Sequence, residues 1–72
     1  MARTESIGML LRALRRSRGL TQDALSKRIG LSRASIANME LDRQNVSLDT
    51  LQRFANALGY EVKLQIKPRG KS

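Results

Sequence analysis

Seventy-two residues suit a single domain, and 14 Lys and Arg against 6 Asp and Glu give it a net charge of +8. Cys and His are both absent, which excludes disulfides and Cys/His zinc sites. No apolar run is long enough to span a membrane, and the N-terminal stretch lacks the apolar core of a signal peptide. A chain this short buries only about 60% of its unfolded surface, so a partner would stabilise it. The charge points to a polyanionic partner; the plainer alternative is that it only keeps a small chain soluble.

In chain order, residues 5–18 read as a first helix. Ile7, Leu10, Leu11 and Leu14 fall at i, i+3, i+4 and i+7, the spacing of one buried face. Arg12, Arg15, Arg16 and Arg18 crowd its second half; some favour the helix C-terminus through its dipole, and the cluster reads either as a solvated face or as contacts for phosphate. Gly19 gives the stop. Thr21 is a hydroxyl cap for a second helix over 22–29, whose apolar stripe is Ala24, Leu25 and Ile29. Lys27 and Arg28 read as solvated. Gly30 falls where that helix must end and the chain must turn. Ser32 caps a third helix, 32–40, with Ile36 and Met39 inward and Arg33, Ala34, Ala37 and Asn38 outward. Glu40 ends it and reads as structural, paired with a basic residue of another helix.

Residues 41–46 form a loop. Ser47 caps a fourth helix over 48–58, with Asp49 in its first turn, where a negative charge is favoured. Leu51, Phe54, Ala55 and Leu58 make its buried stripe, and Gly59 closes it. The period then drops to two. Tyr60, Val62, Leu64 and Ile66 alternate with polar residues, which predicts a strand over 60–67, ended by Pro68 and a basic tail over 68–72. A lone strand needs a partner edge, and the same strand of a second subunit is the simplest one. An extended segment resting on its own helices is the alternative.

The stretch from Thr21 to Glu40 is therefore a helix-turn-helix with a small, polar, basic outer face. Such a second helix fits the DNA major groove, with its N-terminal residues reaching base edges first. Gln22, Ser26, Gly30, Ile36 and Met39 stand at the spacing of the Xre/Cro phage-repressor-like family, which this segment resembles; Ser26 departs from the usual Ala but is still small. The resemblance covers about residues 5–59. It implies base reading by Arg33, Ala34, Asn38 and Ser32, and DNA-backbone contact by Gln22, Ser35, Arg43, Gln44 and Asn45. For Gln22 the alternative is that it anchors the recognition helix.

The SLDTL start of the last helix, its ALG end and the C-terminal strand resemble HipB-type antitoxins. That likeness implies a homodimer whose strands pair through Tyr60, Val62, Leu64 and Ile66. It also implies repression of the chain's own operon at a palindromic operator, and binding of a HipA-type kinase toxin. A stand-alone Xre-type regulator, or an antitoxin of another toxin type acting by direct contact, are the alternatives. A binder of membrane surfaces or RNA is a third reading, disfavoured because one Phe and one Tyr leave few rings for base stacking. The expected fold is thus mainly α: one domain over 1–72, with four helices and one C-terminal strand. A cytoplasmic location, no cofactor and no enzymatic activity are expected, since Ser has neither His nor Cys to work with.

Overall fold

The computed structural model describes residues 6–68 and Gly70. Glu5, where the first helix was expected to begin, and Arg69, Lys71 and Ser72 of the tail lie outside these. Among the described residues four helices form: α1 (Ile7–Ser17), α2 (Gln22–Ile29), α3 (Arg33–Glu40) and α4 (Leu48–Ala57). Each start is fixed by a hydroxyl that accepts a backbone N–H from inside the first turn. Ser6 accepts from Met9, Thr21 from Ala24, Ser32 from Ser35 and Ser47 from Thr50.

Three ends share one device. At α1 the Gly19 N–H reaches the Arg16 carbonyl and the Leu20 N–H that of Arg15. At α4 Gly59 and Tyr60 reach Asn56 and Ala55 in the same way. These are Schellman ends, in which a left-handed residue lets the chain fold back onto the last turn. At α3 the left-handed position is held by Asp42, with φ 61°, and Asp42 and Arg43 close onto Met39 and Asn38.

α3 packs against α1 and α2, while α4 packs against α2 and α1. Between them lie Leu11, Leu25, Ile29, Ile36, Met39, Phe54 and Leu58, all buried, with Leu14, Leu20, Leu31, Val46, Leu51, Ala57 and Tyr60 packed around them. The inward residues of α3 and α4 are those their spacing predicts; on α2 Leu25 and Ile29 are buried as expected, while Ala24 is only half-buried and stands outside the core. On α1 the expected face is only partly used: Leu11 is fully buried, but Ile7 and Leu10 are 46% and 44% exposed. The residue that α1 buries at its start is Gly8. A Cβ there would stand 2.5 Å from the Met39 carbonyl oxygen and 2.6 Å from that of Glu40. The missing side chain therefore lets α1 lie directly on the end of α3.

The expected strand over 60–67 is not formed. Residues 60–68 have no regular secondary structure, and no described segment offers them an edge. The physical reason is that a strand needs a hydrogen-bonded neighbour, and four helices expose none. Tyr60, expected at a pairing seam between subunits, is turned onto its own helix α1. Its hydroxyl meets Ser17 Oγ at 2.8 Å, and the Arg18 guanidinium sits 4.4 Å from its ring centre. Val62 is half-buried, and Leu64 and Ile66 are exposed.

Candidate nucleic-acid interface

The placement of α3 begins with Ile36 and Met39, 0% and 1% exposed, which fix its inner face in the core. The helical period then turns Arg33 and Ala34 to solvent and leaves Ser35, Ala37 and Asn38 half-buried beside them. Ser32 is exposed at the N-terminus, but its oxygen is occupied: it accepts the Ser35 N–H at 3.0 Å. Its hydroxyl retains a proton to donate outward. Arg43, Gln44 and Asn45 are exposed in the following loop, whose path is set by the left-handed turn at Asp42. The structure thus brings Ser32, Arg33, Ala34 and Asn38 together on one helix. It places Arg43, Gln44 and Asn45 in the loop that leaves that helix.

The far end of α3 is held by an ion pair. Glu40 is buried, and it accepts two hydrogen bonds from Arg15 of α1: Nε to Oε2 at 2.6 Å and Nη2 to Oε1 at 2.9 Å. Gln22 Nε2, at the first position of α2, donates a third to Oε1 at 3.1 Å. One carboxylate therefore joins α1, α2 and α3. Burial pushes its pKa up, but the hydrogen bonds of Arg15 and Gln22 and the charges of Arg15 and Arg12 outweigh this and hold it below the ordinary glutamate value. The same pairing raises the pKa of Arg15 against its own desolvation. Gln22 thereby ties the start of α2 to the end of α3.

Arginines serve the scaffold elsewhere too. Arg15 Nη1 also donates to the Leu20 carbonyl at 2.7 Å, and Arg18 Nε donates to that of Leu58 at 2.9 Å. Arg53 Nη2 reaches the last carbonyl of α2, Ile29, at 2.6 Å, and Arg28 Nη1 reaches that of Ala57 at 3.3 Å. Cations at helix C-termini satisfy orphan carbonyls and oppose the negative end of the dipole. The sequence pattern gives Arg15 and Arg18 three possible places, a solvated face, a phosphate contact or support of a helix C-terminus, and gives Arg28 a solvated one. All three tie elements together: Arg15 joins α1 to α3 and to the turn at Leu20, and Arg18 and Arg28 reach the end of α4. A net charge of +8 therefore overstates what faces a partner.

Sequence reasoning missed Gly8, the capping carboxylate of Asp42 and the role of Arg53. An isolated Gly within a helical stripe was a usable sign of close approach. For Asp42 and Arg53 the partners lie far away in sequence, and no local pattern marks them.

The helix-turn-helix family HTH_3 matches residues 11–64. This chain belongs to that family. An immunity repressor protein of Bacillus phage phi105 is 44% identical to this chain over 57 residues, covering 79% of this chain and 40% of the phage protein. The chain therefore spans less than half the length of that relative. An uncharacterized HTH-type transcriptional regulator of Methanothermobacter thermautotrophicus is 42% identical over 52 residues, 72% of this chain and 75% of its own. Among solved structures, the restriction-modification controller protein C.AhdI from Aeromonas hydrophila is 39% identical with a TM-score of 0.71, covering 75% of this chain and 82% of its own. The DNA-binding domain of the P22 c2 repressor, 27% identical, superposes with a TM-score of 0.75 over 83% of this chain and 79% of its own. No helix among the described residues is long and apolar enough to cross a membrane.

Proposed function

We propose that this HTH_3 chain is the DNA-binding unit of a sequence-specific transcriptional repressor, acting as a homodimer on a palindromic operator with α3 in the major groove. The observation that carries the reading is the mounting of α3. Its inner face is locked by Ile36 and Met39, its end by Glu40, and its outer face presents Arg33 and Ala34 to solvent. A rigid helix with a short outer face is what base reading needs, since the reading groups must be held in one register.

In this reading the Arg33 guanidinium donates two hydrogen bonds to guanine O6 and N7. Ala34 touches a thymine methyl, Asn38 pairs with an adenine edge or a phosphate, and the Ser32 hydroxyl donates to a base. Gln22, Ser35, Arg43, Gln44 and Asn45 hold the DNA backbone. The repressor role is supported by the likeness to the phage immunity repressor and to the P22 c2 DNA-binding domain. Homodimer formation is supported by apolar side chains that none of the described residues covers: Leu64 is 69% and Ile66 88% exposed. Tyr60 has no part in that contact, since it is engaged on α1. Two copies would address half-sites about one DNA turn, roughly 34 Å, apart.

An antitoxin role with a HipA-type kinase as partner rests on resemblance in the last helix and the terminal segment; the relatives named above are repressors and regulators. The test is selection of bound duplexes from a random library. A two-fold symmetric consensus is expected, and the absence of any enriched sequence would contradict the proposal.

A further inference from the structure

Of the four arginines on α1, Arg15 and Arg18 have partners within the fold, which leaves Arg12 and Arg16 exposed. Their surroundings differ. Arg12 lines a cleft of about 310 Å³ between α1, α2 and α3, together with Gln22, Ala37, Glu40 and Leu41. Arg16 does not line it; it borders an adjoining hollow of about 500 Å³, which Arg12, Glu40 and Leu41 also line but Gln22 and Ala37 do not. Ala37 belongs to the outer face of α3, so the first cleft opens beside the side chains assigned to base reading.

The cleft is cationic. Arg12 and Arg15 are its positive groups and Glu40 its one negative group. Glu40 is already engaged by Arg15 and Gln22. Among the described residues no carboxylate stands within ion-pair distance of Arg12. The Gln22 amide nitrogen uses one N–H on Glu40 and has a second to give. Ala37 contributes only a methyl, which leaves the cleft open towards α3. A cation and an amide donor lining one cleft, next to a helix placed for the major groove, are suited to an anionic oxygen of the duplex backbone.

We propose that Arg12 and the second N–H of Gln22 hold one DNA phosphate across this cleft. Arg12 thereby extends the interface from the helix-turn-helix onto α1 and fixes how deeply α3 enters the groove. This rests on the reading of α3 as a DNA reader. A contact of this kind carries no sequence information and contributes to affinity through release of a counterion.

The test is fluorescence anisotropy with the full chain and its R12Q, R12K and R16Q variants. Each is titrated against the selected site and a scrambled duplex, from about 50 to about 200 mM salt. R12Q should lose about 0.9 from the slope of log affinity against log salt, and about eightfold in affinity near 0.1 M salt, on both duplexes alike. R12K should restore the slope, and R16Q should keep it. An unchanged slope in R12Q, or an equal loss in R16Q, would overturn the proposal, since the second would show only net charge at work. A fall in melting temperature confined to R12Q would also overturn it, by assigning Arg12 to the Glu40 network. Failure of the underlying reading shows separately, as a wild-type chain that does not prefer the selected site.

Discussion

The Asp42 carboxylate accepts the amide N–H of Gly8 at 3.0 Å across 34 residues of sequence. Gly8 is the second residue of α1, so this N–H has no partner within its own helix. Asp42 stands just beyond α3 with φ 61°, where glycine is the usual occupant. An aspartate there accepts some backbone strain and in exchange caps another helix, at the end where the dipole favours a negative charge. The start of α1, the end of α3 and the loop carrying Arg43, Gln44 and Asn45 are thereby fixed together.

Gly8→Ala tests that close approach. In an open helix the change would stabilise by up to about 1 kcal/mol. Here the new methyl would stand 2.5 Å and 2.6 Å from two backbone carbonyl oxygens, which cannot rotate away. The expected outcome is a net loss of about 1–3 kcal/mol in urea unfolding. A stabilised variant would show that α1 does not rest on the end of α3.

Glu40→Gln tests the three-helix link. It leaves the Arg15 charge without its counter-charge in a site that is mostly buried, and a loss of about 3 kcal/mol is expected. The pH dependence has a defined sign. The folded chain holds the Glu40 pKa below its ordinary value, so the unfolded chain takes up this proton more readily. The stabilisation is therefore present in full above the ordinary glutamate range, about 4, and is lost as pH falls below it through the folded pKa. Unfolding measured from neutral pH into that acid range should show a loss in the wild type that Glu40→Gln lacks. Parallel curves would contradict the assignment.

Arg33→Ala should weaken binding to the selected site by about 1–3 kcal/mol and relax preference at one base position, with little change on scrambled DNA. Competition binding against single-base variants of the site measures this. An equal loss on every sequence would make Arg33 a phosphate contact.

Leu64→Lys should leave the folded monomer intact, because this side chain is 69% exposed, but should weaken self-association and with it the affinity for a two-half-site duplex. Light scattering across a concentration series is the readout. An unchanged dimer would place the contact between copies elsewhere.

The sequence was most legible where structure is local. Thr21, Ser32 and Ser47 mark helix starts because a cap bond spans only three residues. Gly30 and Gly59 mark ends because a left-handed turn needs a permissive residue. Ile36 and Met39 follow from helical period, and so does the outward direction of Arg33. What sequence could not give is the choice of partner at a distance. It suggested that Glu40 pairs with a basic residue but not that Arg15 is the one. It also read Ile7 and Leu10 as core, although Gly8, which lies between them, is what α1 sets against α3. The alternation after Gly59 was real, but a period of two specifies only which side chains share a face. Without an edge to bond to, that segment forms no strand.

The claim that α3 reads sequence is tested most directly by competition binding of the wild-type chain, at fixed salt, between the selected site and a scrambled duplex of equal length. The account predicts a preference of at least about 10³-fold, the lower range for specific recognition. A ratio near one would mean that the chain binds DNA through charge alone and that the outer face of α3 carries no recognition.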